Sequence, residues 1–175
     1  MTAATFQTAI NAQLNPGIVG EQDKYGPSRV TPRMLDSNGG YIGNYFTVNA
    51  QTGAASQGGV IGVSGQVVTV AGGFMIRPKE AVSYGAPGGT PLDPTLFVPG
   101  NRPAELLSMG FLWVANTNSA GANLGDFVSY NTTTGVIATY APSASPASGF
   151  AQVPNAYVDR GQSASAGLVG IVLTN

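Results

Sequence analysis

The chain has 175 residues, 43% of them hydrophobic and 9% charged, with a net charge of −1. That length suits one domain with its own core, and 25 glycines with 12 prolines argue against long helices and for an all-β protein with many turns. The slight acidic balance and the lack of any Lys/Arg run argue against nucleic acid and membrane surfaces as partners, and the absence of His and Cys removes the commonest general base, thiolate nucleophiles and the usual transition-metal ligands.

The opening stretch MTAATFQTAINAQL lacks a basic region followed by an apolar core, and the longest strongly apolar run, GLVGIVL at 167–173, is far too short to span a bilayer. Synthesis as a soluble chain in a cytoplasm is the expectation. Residues 1–38 carry Pro16-Gly17, Gly26-Pro27 and Pro32 among charges that include Lys24, Arg29 and Arg33, with no alternating apolar pattern. Phe6, Ile10 and Leu14 are spaced for a short amphipathic helix, which is marginal in water at that length. This segment reads as an N-terminal arm, extended unless a partner orders it, with a β domain over 39–175.

From Tyr41 onward, runs rich in Val, Ile, Thr and aromatics alternate with Gly, Asn and Pro clusters, the pattern of a sandwich or barrel. Strands are expected near 44–49, 60–70, 73–77, 95–98, 111–116, 126–131, 136–140, 156–159 and 167–174. Two loops separate them, GAPGGTPLDP at 85–94 and APSASPASGFAQVP at 141–154.

An internal repeat organises this domain. IGNYFTVNAQTG (42–53) aligns without gaps on LGDFVSYNTTTG (124–135), and each copy later reaches a Gly-aliphatic-aliphatic-Gly element, GVIGV at 59–63 and GLVGI at 167–171. The repeat therefore extends over 42–63 and 124–171. Each copy reads as a strand entering an Asn-x-x-Thr-Gly turn, where Asn49 or Asn131 bonds the turn backbone and Gly53 or Gly135 takes a positive φ. Two such units burying their apolar faces together would form one pseudo-repeated antiparallel barrel or sandwich.

The chemical motifs are weak. GGVIGVSG (58–65) superficially resembles a phosphate loop, but QVVTV follows as a strand where a helix N-terminus would be needed. Asp93, Glu105, Asp126 and Asp159 offer carboxylates for a glycan hydrolase, yet no spacing selects a pair, and Asp126 occupies the repeat position of Asn44. Asn131-Thr132-Thr133 fits a glycosylation acceptor that a chain without a secretory signal does not present to the machinery. Trp113, the one tryptophan, sits in GFLWVAN with Phe111 and Ala115 on its face and Leu112 and Val114 on the other. It is either a core residue or an interface anchor.

The remaining cluster is FMIRPKEAV, with Arg77, Lys79 and Glu80 set around Pro78. Proline cannot donate to a sheet ladder, so it marks a strand end and holds its neighbours on a rigid, exposed backbone. The cluster is a solvated strand end or a docking contact. No catalytic pair, metal-ligand set or cofactor motif emerges from these stretches.

GFMIRPKEAV, PAELLSMGFLWVAN, NLGDFVSYNTTTGVI and GGVIGVSG together resemble the structural cement, or head decoration, proteins of tailed bacteriophages, over about residues 40–175. The resemblance implies an all-β domain on the outer face of a virion's capsid lattice, at junctions between capsomers, as a dimer or trimer bound to the major capsid protein. It carries over Arg77, Pro78, Lys79, Glu80, Ala104, Glu105, Met109 and Trp113 as pattern positions. The expectation is a non-enzymatic cement protein whose arm crosses onto neighbouring subunits, the alternative being a virion-surface carbohydrate-binding or adhesion module.

Overall fold

The computed structural model describes residues 17–23, 26–77, 96–160 and 165–174. Its strands in chain order are β1 (Gln22–Asp23), β2 (Arg29–Met34), β3 (Gly40–Tyr41), β4 (Tyr45–Asn49), β5 (Ala55–Gln57), β6 (Gly62–Ser64) and β7 (Val67–Met75). They continue with β8 (Phe97–Val98), β9 (Pro103–Asn116), β10 (Phe127–Asn131), β11 (Ile137–Tyr140), β12 (Phe150–Arg160) and β13 (Gly167–Leu173). The described residues contain no helix, and the all-β class expected from composition is the one observed. The helical spacing at Phe6, Ile10 and Leu14 lies outside the described residues.

The second half closes on itself. β11 pairs β10, β10 pairs β12, β12 pairs β13 and β13 pairs β9, all antiparallel. A parallel bridge between Ile137 and Asn116 returns β11 to β9, making a barrel. Asn116 secures that closure from within the protein. Its Oδ1 accepts from the Thr139 N–H at 3.1 Å and the Asn118 N–H at 3.0 Å, while its Nδ2 donates to the Gly121 carbonyl at 3.2 Å. A buried amide so bonded avoids the desolvation penalty of an unpaired polar group, on the order of 1–3 kcal/mol.

The first half forms a sheet that shares β9. β5 pairs β4, β4 pairs β7, and β7 meets β9 at Leu106 and Leu107, while β2 runs along Pro103–Met109. From Gly110 onward β9 pairs with β13 instead, so this 14-residue strand belongs to both halves. Two buried clusters follow: one fills the barrel around Leu112, Val114, Val128, Tyr130, Val158 and Ile171, the other lies under the first sheet around Leu35, Phe46, Val48, Met75 and Leu106. Full burial of a Phe or Leu side chain contributes about 1.5–3 kcal/mol.

Four expected strands differ in extent, the one expected at 73–77 being the end of β7, which stops at Met75. β9 begins at Pro103 rather than near 111, and β12 begins at Phe150, inside the expected loop 141–154. The 60–70 run is a hairpin, with Gly65-Gln66 turning between β6 and β7. Residues 29–34, placed by the sequence reading in the arm, run as a strand along β9, with Pro32 opposite Glu105. Pro32 and most of that strand are exposed, so no apolar periodicity marked it.

Candidate functional site

The two repeat stretches fold alike through their turns. Asn49 Oδ1 accepts from the Gln51 and Thr52 N–H groups at 2.8 and 3.2 Å, and Asn131 Oδ1 accepts from the Thr133 and Thr134 N–H groups at 2.9 Å each. The Gly53 N–H donates to the Asn49 carbonyl and the Gly135 N–H to the Asn131 carbonyl, both at 2.8 Å. Both glycines have positive φ, 73° and 66°, where a side chain is strained. The later elements differ: 59–63 leads into the exposed β6, whereas 167–171 lies in β13 with its last three residues buried.

The second turn is also a joint. The Tyr45 N–H donates to the Gly135 carbonyl at 3.0 Å, the Gly59 N–H donates to the Thr132 carbonyl at 2.7 Å, and the Gln57 amide donates to the Thr134 carbonyl. Beneath it, the Tyr45 and Tyr130 rings lie 4.3 Å apart. Burial pushes the Tyr45 hydroxyl well above its ordinary titration range, with Tyr130 adding to the shift, and burial raises Tyr130 too. The Tyr130 hydroxyl is buried beside the Ile61 backbone with no well-formed hydrogen bond. These tyrosines are held neutral, as core residues.

Trp113 is not in the core. Leu112 and Val114 point inward and are buried, whereas Trp113 lies half-buried on the opposite face. There it is covered by residues 17–21: Gly17 sits so close to the indole that a Cβ would collide with it, and the Trp113 N–H donates to the Glu21 carbonyl at 3.0 Å. The Gly20 N–H donates to the Trp113 carbonyl at 2.8 Å, and the Gly20 carbonyl accepts from the Arg77 N–H at 2.7 Å. Sequence reasoning had no signal for this link. Gly20 (φ 79°) is required there, since a Cβ would strike Ile42 and approach the Arg77 nitrogen at 3.2 Å.

The structure thus brings Arg77 and Trp113 together through the N-terminal chain, with the Arg77 side chain exposed. Arg29 and Arg33 lie elsewhere, along β2: Arg29 Nε donates to Ser108 Oγ at 3.1 Å, and the exposed Arg33 stands opposite Ala104. Lys24, Pro78, Lys79 and Glu80 lie outside the described residues, as does Asp93. Of the other carboxylates, Asp126 accepts from the Asn123 N–H at 2.8 Å, Asp159 pairs with Arg160 at 3.2 Å, and Glu105 is exposed on β9. None of these contacts pairs one carboxylate with another. Among the described residues no group of three His, Cys, Asp or Glu could hold a metal ion, and no helix is long and apolar enough to cross a membrane.

Two features were not singled out from sequence. A cleft of about 690 Å³ is lined by Tyr41, Ile42, Leu96, Phe97 and Val136 with Asp36, Asn38 and Gln57 at its polar side. The β6–β7 hairpin exposes Val60, Ile61, Val63, Val67, Val68 and Val70. GGVIGVSG within it stands out in the sequence, though not as a surface, and no charged residue lies between Asp36 and Arg77.

The described residues thus form a closed β-barrel with an attached sheet, strapped at Trp113 and presenting uncharged apolar strands. The chain belongs to the phage structural cement protein family: the family described as Structural cement protein (E217 gp24/Pam3 gp6) matches residues 6–174. It is a phage structural protein, as the resemblance in its motifs implied. No curated protein matches the chain. Among solved structures, a chain of "The capsid of Myoviridae Phage XM1" has the same fold, with a TM-score of 0.59 and 19% identity over 94% of this chain and 95% of that one.

Proposed function

We propose that the protein is a non-enzymatic capsid cement: it binds the outer surface of the major capsid lattice as a homo-oligomer and stabilises the head of the virion. The family match over 6–174 carries this reading. The strap supports it, because a rigid strand end at Arg77 backed by Trp113 presents a cation on a fixed backbone, and a preorganised contact loses less entropy on binding. Arg77, with Lys79 beside it in sequence, is the proposed docking cation; Glu80, Lys24, Arg29 and Arg33 are secondary contact candidates, and the N-terminal residues reach neighbouring subunits. The test is co-sedimentation of purified protein with capsids that lack it, followed by imaging of the particles.

One observation favours the alternative of a carbohydrate-binding module. Tyr41, 50% exposed, makes an edge contact with Phe97 at 5.0 Å beside the amides of Asn38 and Gln57 in the cleft, a combination suited to a sugar ring. Binding on a glycan array that Tyr41→Ala abolishes would support it.

A further inference from the structure

We infer that the β6–β7 hairpin is the surface through which two copies of this chain join. The inference rests on the reading above that the protein works as a homo-oligomer, and it names the contact.

β6 pairs with β7, at Gly62↔Thr69, Val63↔Val68 and Ser64↔Val67, and with no other described strand. All its residues are exposed, so its other edge presents unpaired backbone groups to solvent. Natural edge strands are usually protected by lysine, proline, an inward charge or a bulge. Here the edge sequence Gly62-Val63-Ser64 has none of those side chains, and ideal Cβ atoms on Gly62 and Gly65 would meet nothing within 4 Å.

The side chains agree with the edge. Cross-strand partners share a sheet face, so Val63, Val68 and Val70 stand on one face, with Val60 and Ile61 leading into it. Val60 is 69% and Val63 73% exposed. Val67 adds to the exposed apolar surface on the hairpin's other face. Paired through β6, two copies would set their Val63, Val68 and Val70 faces side by side as one continuous apolar strip.

Charge selects the occupant. With no charged residue between Asp36 and Arg77, the surface offers nothing to steer a charged partner, while two copies face each other without like-charge repulsion. An antiparallel edge is self-complementary about a twofold axis, since each strand offers its partner the donors and acceptors it needs in return. Edge-to-edge pairing of β6 with β6 closes at two chains.

The test is sedimentation velocity of the full chain in the absence of capsids, with wild type compared with Val60→Lys plus Val63→Lys. Both positions are already exposed, so folding is expected to survive, checked by thermal melting. The expected result is twice the chain mass for wild type and the single-chain mass for the variant. Hydrogen exchange on wild type gives a readout independent of the variant: the β6 amides should be protected at high concentration and lose protection on dilution. A wild type of single-chain or three-chain mass, a variant that keeps twice the chain mass, or β6 exchange indifferent to dilution would overturn the inference. If wild type is monomeric and the variant loses capsid binding, the hairpin's partner is the capsid, so the inference fails while the cement reading stands. If wild type dimerises through the hairpin but does not bind capsids, the inference stands and the cement reading fails.

Discussion

Arg77 and Trp113 are joined through a single residue: Gly20 accepts a hydrogen bond from the Arg77 N–H at 2.7 Å and donates one to the Trp113 carbonyl at 2.8 Å. The end of β7, the middle of β9 and the N-terminal chain are thereby locked together. Gly20→Val places a Cβ into Ile42 at a positive φ and is expected to destabilise this clasp by about 1–3 kcal/mol. Hydrogen exchange should show faster amides at Arg77 and Trp113 while the barrel amides of β10 and β12 stay protected.

The repeat provides an internal control on glycine. Gly53 and Gly135 occupy the same turn position, but a Cβ on Gly53 meets only Arg33 Nη1 at 4.0 Å, whereas one on Gly135 lies 2.6 Å from the Tyr45 carbonyl oxygen and 2.9 Å from the Gly58 nitrogen. Gly53→Ala should cost about 1–2 kcal/mol from φ strain alone. Gly135→Ala should cost at least about 3 kcal/mol, because the joint between the halves must also open. Chemical denaturation of the two variants checks the difference.

High pH should unfold the protein through its paired tyrosines. Tyr45 and Tyr130 titrate above their ordinary value of 10.0 because burial disfavours the phenolate. The unfolded chain therefore ionises first, so the stabilisation is fully present below about pH 10 and is lost as pH rises beyond it. Tyr130→Phe removes one of these groups, together with a buried hydroxyl that lacks a well-formed hydrogen bond. It should move the alkaline midpoint upward with little change in stability at neutral pH, as read by circular dichroism across a pH series.

The local chemistry of this fold was legible in sequence, and its long-range placement was not. The turns at 49–53 and 131–135 were readable because Asn and Gly act within a few residues of themselves. β10 and β11 fall within a residue of expectation for the same reason. β12 was half-hidden because Pro154 and Asn155 (φ 54°) interrupt its alternation, and the start of β9 was missed because Glu105 and Ser108 sit on its outer face. Trp113 could be placed on a face but not assigned its cover, since Gly17–Glu21 carries no signature of the strand it crosses. The exposed valines of β6 and β7 read as an ordinary strand, because exposure depends on what the rest of the chain leaves uncovered.

Charge reversal at the strand end separates docking from solvation. Arg77→Glu with Lys79→Glu leaves the Arg77 backbone hydrogen bond and the buried Phe74, Met75 and Ile76 in place, so the melting temperature of the free protein should change little. Capsid affinity should fall by about 2 kcal/mol, on the order of 30-fold, if the pair meets an acidic neighbour at a partly desolvated contact. The difference from wild type should narrow as salt is raised, since screening weakens both the wild-type attraction and the variant's repulsion. Occupancy equal to wild type at every salt concentration would leave this cluster a solvated strand end.

The most direct measurement is cryo-EM of capsids assembled without the protein and then incubated with it. The account predicts ordered density of the barrel and its attached sheet on the outer face of the lattice, at junctions between capsomers, together with greater resistance of the particles to heat. Particles that remain bare, or that carry the protein only on their inner face, would contradict it.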